Sequence, residues 1–249
     1  MKVFSVYYPA NPIEPEEPTA PEFSPLDIPG LQLWLKADTG LVLNTSSGTT
    51  ISQWSDQSGN NNHATQISKA LQPVAGNPIN NLPTVRFNGS TYLSGNIALT
   101  TPGLSLFAVI KRLGTSVQAA GYFSITASNA SDYDGGSAIV FLQYENQDII
   151  QTYRGGQVGQ VPLPLADLAT LWSSTFNGGT HQLEINNVLD SANSSGSFNA
   201  SHYALASRFY NSSYESRANA EFGEIIVYNS GDSSIKPLIK SYINSKWGV

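Results

Sequence analysis

Three stretches of this 249-residue chain set tyrosines beside charged and amide side chains. Asn129 to Gly136 carries Asp132, Tyr133 and Asp134; Thr152 to Gln157 carries Tyr153 and Arg154; Ser201 to Asn219 carries Tyr203, Arg208, Phe209, Tyr210, Tyr214 and Arg217. Such mixtures suit a glycan, because an aromatic face covers the C–H side of a sugar ring while carboxylate, amide and guanidinium groups bond its hydroxyls. The candidate ligand-binding residues are therefore Asp132, Tyr133, Asp134, Tyr153, Arg154, Arg208 and Tyr210. The same composition also describes a plain sandwich rim or an inter-subunit contact. Asp132-x-Asp134 followed by Gly135 resembles the start of a calcium loop, but the remaining oxygen ligands and a closing Glu are missing. No metal and no cofactor is expected.

Catalytic sets are harder to assemble. Glycoside hydrolysis needs two carboxylates held about 5 to 10 Å apart. Glu145 and Asp148 straddle an Asn-Gln pair that reads as a turn, and Glu221 and Glu224, three apart in a strand, point to opposite faces. The histidines, at 63, 181 and 202, lie in no H-E-x-x-H, and there is neither a G-x-S-x-G elbow nor a P-loop. No catalytic residue is assigned, and the expectation is that the chain is not an enzyme.

Composition narrows the setting. The net charge of −6, with Lys and Arg scattered singly, offers no basic stripe for a phosphate backbone, so nucleic acid is excluded as a partner. No run approaches the roughly 18 apolar residues of a membrane span, so membrane insertion is not expected, and MKVFSVYYPANP does not have the form of a secretory signal. With no cysteine there is neither a disulfide framework nor a thiolate metal site.

The elements that must hold these residues are strands. Leu31 to Lys36, Thr50 to Trp54, Thr84 to Phe87, Leu104 to Arg112, Gly121 to Thr126, Ser137 to Glu145, Asp148 to Tyr153, Thr170 to Phe176, His181 to Asn186 and Glu221 to Tyr228 are β-type runs bounded by Gly, Asn, Pro or Ser. Their spacing predicts a two-sheet antiparallel sandwich. Near the end, Ile235, Leu238, Ile239, Tyr242 and Ile243 share a helical stripe, with Asp232 or Ser233 as N-cap and Gly248 after it, predicting one helix over about 233–246. The first 30 residues differ: Pro9, Pro12, Pro15, Pro18 and Pro21 recur at the three-residue period of polyproline II, which predicts an extended arm over 9–29. Ahead of it, Val3, Phe4, Val6, Tyr7 and Tyr8 form a β-prone peptide suited to strand addition on another chain. Residues 1–30 thus read as anchor and arm, and 31–249 as the folded head.

Four blocks carry a resemblance: LQLWLKADTGL at 31–41, ISQWSDQSGNNNHATQ at 51–66, LPTVRFNGSTYLSG at 82–95 and AEFGEIIVYNSGDSSIKPLIKSYINSKWGV at 220–249. Together they resemble the LamG-like jelly-roll modules of the concanavalin A-like lectin and glucanase superfamily, found in bacteriophage virion and bacterial surface proteins. The resemblance implies an all-β fold, a two-sheet antiparallel jelly-roll sandwich. The W-x-D-x-S-G-N of Trp54, Asp56, Ser58, Gly59 and Asn60 reads physically as a turn organised by the Asp carboxylate, with Trp34, Trp54, Trp172 and Trp247 in the core. The E-x-D-x-x-E strand of the family's glucanases is missing, and His181-Gln182 reverses the Q-x-H of its alginate-lyase-like members. The expectation is a non-catalytic virion-type surface protein (capsid decoration, fibre or tail), on the virion surface or extracellular. Its head would bind cell-surface glycan or mediate adhesion, its arm would dock to other virion proteins, and it would assemble as a homo-oligomer. The alternative is a decoration module with protein contacts only; a polysaccharide hydrolase or lyase comes third.

Overall fold

Short runs of β-branched, aromatic and small polar residues, cut by Gly, Asn and Pro, fold into 19 strands among the described residues. In chain order they are β1 Leu31–Lys36, β2 Leu41–Leu43, β3 Ile51–Trp54, β4 Ala64–Thr65, β5 Val74–Ala75, β6 Val85–Asn88, β7 Leu93–Thr101, β8 Gly103–Arg112, β9 Ala120–Thr126 and β10 Ala138–Gln143. They continue with β11 Ile149–Tyr153, β12 Gln157–Pro162, β13 Ala169–Asn177, β14 Thr180–Ile185, β15 Val188–Asn193, β16 Phe198–Leu205, β17 Arg208–Tyr210, β18 Ser213–Glu215 and β19 Asn219–Tyr228, followed by the helix α1, Ile235–Trp247. The structure, a computed structural model, describes residues 23–44, 49–114, 119–127, 131–132, 137–143, 148–154 and 156–249. Val3, Phe4, Val6, Tyr7, Tyr8, the prolines from Pro9 to Pro21, Tyr133 and Asp134 lie outside the described residues.

Two antiparallel sheets face each other, as the strand spacing predicts. One runs β15-β14-β13-β8-β19-β6-β5, with β1 also on β19; the other runs β12-β11-β10-β9-β16-β7-β4-β3-β2. Leu33, Leu106, Ile110, Tyr122, Phe141 and Trp172 are among the wholly buried side chains between them. In β8 the residues of opposite parity, Phe107 and Val109, face outward onto α1 and are equally buried. Burial on both faces is why β8 reads as an unbroken apolar run rather than an alternating one.

Several strands fall outside the expected set, namely β2, β4, β5, β7, β12, β15, β16, β17 and β18, and the reason is local. β7 and β16 carry Gly95, Asn96, Asn199 and His202, which read as loop residues. Gly95 belongs in its strand because a Cβ there would come within 2.4 Å of the His63 carbonyl and 2.7 Å of the Tyr203 ring. The β14–β15 and β17–β18 turns are made by Asn186–Asn187 (φ 49 and 63°) and Asn211–Ser212 (φ 48 and 61°), left-handed pairs that bend hairpins without glycine.

The helix packs most of the stripe expected, with Tyr242 half-buried against it, but differs at Leu238 and adds Trp247. Ile235, Ile239, Ile243 and Trp247 are buried, whereas Leu238 is 47% exposed. Asp232 accepts from the Ser234 amide at 2.9 Å just before the helix, and Gly248 ends it with φ 69°. The last residues of the expected arm are not extended either. Pro25–Asp27 form a 3-10 turn closed by a Ser24–Asp27 capping box, Tyr228 Oη donates to the Pro25 carbonyl at 2.9 Å, and the Phe23 ring meets Tyr242 at 6.1 Å. These contacts tie residues 23–28 to the outer face of the sheet that α1 covers.

A bulge at Gly223 organises that face. Phe222 pairs with Ile110 and Glu224 with Val109, so Gly223 is an extra residue in β19. There β19 also exchanges one neighbour, β6, for another, β1. A Cβ on Gly223 would lie 2.7 Å from the Trp247 ring, so only glycine admits the indole. The next residue, Glu224, is wholly buried and accepts from Trp34 Nε1 (2.5 Å), Tyr242 Oη (2.8 Å), Lys246 Nζ (2.8 Å) and Trp247 Nε1 (2.7 Å).

The observed helix stripe makes a direct prediction. Ile239→Ala should destabilise the fold by about 2 to 5 kcal/mol, as an Ile-to-Ala change in a packed core does, while Leu238→Ala should stay within about 0.5 kcal/mol. Urea unfolding of the two variants checks this, and equal losses would refute the stripe.

Candidate functional site

The β17–β18 hairpin gathers the third tyrosine-rich stretch and part of the first. It crosses β9 where that strand has Gly121, at which a Cβ would meet Arg208 Cγ at 2.6 Å. Tyr122 packs its ring on Trp172 of the opposite sheet, 4.9 Å between centroids, so Gly121 faces away from the core and the hairpin lies on the outer face of the nine-stranded sheet. Asp132, from the β9–β10 connection, pins it there. Its carboxylate accepts from Arg208 Nε and Nη2, both at 3.0 Å, and its own amide donates to the Phe209 carbonyl at 2.9 Å. Both side chains are buried, and burial pushes the Asp132 carboxyl above its ordinary value even against the pull of Arg208. The charges of Asp132 and Arg208 are thus used on each other, and the pair positions the hairpin.

What the hairpin presents is aromatic. Tyr92 and Tyr214 stack at 4.6 Å, Phe209 meets Tyr214 edge-on at 5.1 Å, and the guanidinium of Arg217 sits 4.9 Å from the Tyr92 centroid. Arg208 lies 5.3 Å from the Tyr210 ring. Tyr92, Phe209, Tyr210, Tyr214 and Arg217 are half-buried, so part of each side chain reaches the exterior, and Arg217 donates through Nη1 to the Ser90 carbonyl and through Nη2 to the Tyr214 carbonyl. Tyr92 was not a candidate in the sequence; it sits more than 100 residues from its stacking partner, and nothing in its own neighbourhood marks it. Tyr203, in the same stretch as the hairpin, is instead core and donates to the Asn62 carbonyl at 2.7 Å.

The second stretch goes elsewhere. Tyr153 packs on Ala119 and Leu142. Arg154 lies over Phe198, 4.2 Å from its centroid, and 5.7 Å from that of Phe176. The structure therefore joins the first and third stretches and places Arg154 apart from them, at the turns that end β11, β13 and β15.

Carboxylates and a nucleophile–base pair are present but enclosed. The Gly223 bulge puts Glu221 and Glu224 on the same face of β19, where uninterrupted strand geometry predicts opposite faces. Both are wholly buried, and Glu221 is held by Lys111 at 2.5 Å and by the Asn77 amide at 2.9 Å. Ser174 Oγ lies 2.9 Å from His181 Nε2, and the other ring nitrogen faces the Val158 carbonyl at 3.2 Å. That arrangement fits the neutral imidazole, donating from Nδ1 to the carbonyl and accepting the serine hydroxyl at Nε2. Neither side chain has any exposed surface. Asp56 does what its motif predicts: it accepts from the amides of Trp34, Ser58 and Asn62 and from the Ser58 hydroxyl, fixing its loop on β1. Trp54 behind it is core. Among the described residues no cluster of acidic and histidine side chains could hold a metal ion.

No protein-family model matches the chain, and neither does any curated protein. Solved structures do match in fold. A Trypanosoma rangeli sialidase superposes over 97% of this chain and 37% of its own, with TM-score 0.58 and 11% identity. Domain 4 of AbnA, a GH43 extracellular arabinanase from Geobacillus stearothermophilus solved with arabinotriose, matches over 84% of this chain and 98% of its own (TM-score 0.56, 10% identity). A GH54 α-L-arabinofuranosidase matches over 84% and 59% (TM-score 0.56, 14% identity). The chain spans only about a third of the sialidase chains it resembles. These likenesses establish the sandwich fold. They also correct two expectations: the named structures belong to glycosidases and none to a virion, so neither a non-catalytic virion surface protein nor the exclusion of enzyme activity stands.

Two predictions arise from the enclosed charges. Burial lowers His181 to about 4, below the roughly 6.5 of an unfolded histidine, so the unfolded chain takes up the proton first as pH falls. The contribution of His181 is intact above pH 6.5 and is lost between there and pH 4, by about 3 kcal/mol. Urea midpoints from pH 7 to 4 should fall less steeply in a His181→Phe, Ser174→Ala double variant than in the parent. Asp132→Ala strands the buried guanidinium and should cost about 3 to 5 kcal/mol, while Asp132→Ala combined with Arg208→Met should recover most of it. A double-mutant cycle showing no coupling would mean the pair does not hold the hairpin.

Proposed function

We propose that this chain is a carbohydrate-active domain, one that engages glycan as part of, or alongside, a glycoside hydrolase. The observation that carries the reading is the match to Domain 4 of AbnA along nearly the whole of that domain, in a structure solved with arabinotriose. The aromatic hairpin supports it: half-buried Tyr210 and Tyr214 combine rings with hydroxyls, and Arg217 braces the cluster from the Tyr92 ring and the Ser90 and Tyr214 carbonyls. The LamG-like resemblance of residues 31–249 fits the same reading, and so does a site of action outside the cell.

Hydrolysis by this chain itself is a second reading, favoured by the named fold neighbours all being glycosidases. It needs two carboxylates within reach of one glycosidic bond. Glu221 and Glu224 share a face but are closed off by Lys111, Asn77 and α1, so catalysis through them would require that covering to open.

Affinity electrophoresis of the chain through arabinan, pectin and sialylated glycan gels, run beside reducing-sugar assays on the same substrates, tests both readings. Retardation by at least one glycan is expected, and Tyr210→Ala should weaken it by about 1 to 3 kcal/mol, in the range of aromatic hot spots. Sugar release would establish hydrolysis. Neither retardation nor release on any of them would overturn the carbohydrate reading.

A further inference from the structure

Arg154 stands where β11 ends, its amide donating to the Gly156 carbonyl at 2.8 Å to form a tight turn. Its guanidinium rests on Phe198 and donates through Nη1 to the Ser195 carbonyl at 3.0 Å. Nε is buried without a hydrogen-bond partner, so the Nη edge is what the side chain can present, and no carboxylate among the described residues forms an ion pair with Arg154. The side chain is half-buried, and burial pulls its pKa down.

The surroundings are built to receive rather than to neutralise. The turn that supplies the Ser195 carbonyl runs Ser194-Ser195-Gly196-Ser197, is tied to the β13–β14 turn by the Ser194 amide on the Gly179 carbonyl (3.1 Å), and exposes Ser195 and Ser197. At its centre Gly196 has φ 95°, and a Cβ there would lie 3.5 Å from Arg154 Nη2, so the turn brings bare backbone up beside the guanidinium. Phe198 and Phe176 hold the plane of the fork from beneath. A planar guanidinium with no carboxylate partner among the described residues favours a carboxylate, which it can meet end-on through Nη2 and the remaining proton of Nη1. A neutral sugar hydroxyl gains much less from the same charge, and hydroxyls of the serine turn would meet the ring atoms around the acid.

We propose that Arg154 and the Ser194–Ser197 turn form a subsite for a carboxylate-bearing saccharide, a uronic or nonulosonic acid unit. The proposal rests on the carbohydrate-active reading and narrows its ligand to acidic glycans. An acidic peptide would satisfy the charge but not the hydroxyl-rich turn.

Titration calorimetry with the full chain compares acids with their uncharged counterparts: trigalacturonate against its methyl ester, and sialyllactose against lactose. At least one acid should bind 10-fold or more tighter than its counterpart, with the preference shrinking as salt rises. Arg154→Gln should bring the ratio to near one, and Arg154→Lys, which keeps the charge and loses the fork, should give an intermediate value. Melting temperatures of both variants guard against misfolding, and the parent chain's own acid-to-neutral ratio needs no variant at all. Equal binding of acid and neutral forms would overturn the subsite while leaving the carbohydrate reading intact. A preference that survives Arg154→Gln, or oligoglutamate binding as well as the acid sugars, would also overturn it. Absence of binding by any saccharide would remove both.

Discussion

A carboxylate at the bottom of a protein interior is a liability unless its lone pairs are used, and Glu224 is where this fold meets that condition. An unsatisfied buried carboxylate costs several kcal/mol, so the four side chains that donate to Glu224 must arrive together. They come from distant parts of the chain: Trp34 from β1, and Tyr242, Lys246 and Trp247 from α1. Gly223 makes the arrangement possible twice over, by bulging β19 so that Glu224 emerges on the outer face and by leaving room for the Trp247 indole. The helix, the first strand and the last strand are therefore held by one group, and the apolar stripe of α1 packs in the register that group sets.

That constraint decides which surfaces remain for function. The eight-stranded sheet is covered on its outer face by α1 and by residues 23–28, so ring-bearing loops there have little open sheet to line. Among the described residues no α-helix covers the nine-stranded sheet, and its outer face is where the aromatic hairpin sits, held by the Asp132–Arg208 pair and admitted by Gly121. The ends of the sandwich, where Arg154 and the serine turn lie, are the other open places. The division into a covered face and an open face thus follows from packing before any ligand is considered.

Much of this was legible in the sequence where periodicity and turn chemistry agree. The ten β-type runs all became strands because each is bounded by residues that stop it, and the Asp56 turn formed because a carboxylate two residues before a serine has amides within reach. The failures share a cause, which is that the deciding atoms are remote in sequence. Leu238 looked equivalent to Ile235 and Ile243 on a helical wheel, but 235, 239, 243 and 247 face inward, with Tyr242, Lys246 and Trp247 bonded to Glu224, and Leu238 is left outside. Glu221 and Glu224 looked opposed because a bulge is invisible in a strand pattern. Composition named Asp132, Arg208 and Tyr210 as candidates, yet it could not say that the first two would pair with each other.

That last distinction bears on how charge is apportioned in the molecule. The chain has 18 acidic against 12 basic residues, and among the described residues Arg86, Lys111, Arg208, Lys236, Lys240 and Lys246 each reach at least one carboxylate. Arg154 is half-buried, its cost of desolvation is correspondingly high, and yet no described carboxylate reaches it. Shortage of acids does not account for that. A guanidinium that is braced by aromatic rings and a backbone carbonyl keeps its geometry without being neutralised, whereas Arg208, pinned by two bonds to Asp132, has geometry and no charge left to offer. The two arginines are held by different means: Arg208, through Asp132, positions the aromatic surface, while Arg154 rests on rings and a carbonyl with no ion pair among the described residues.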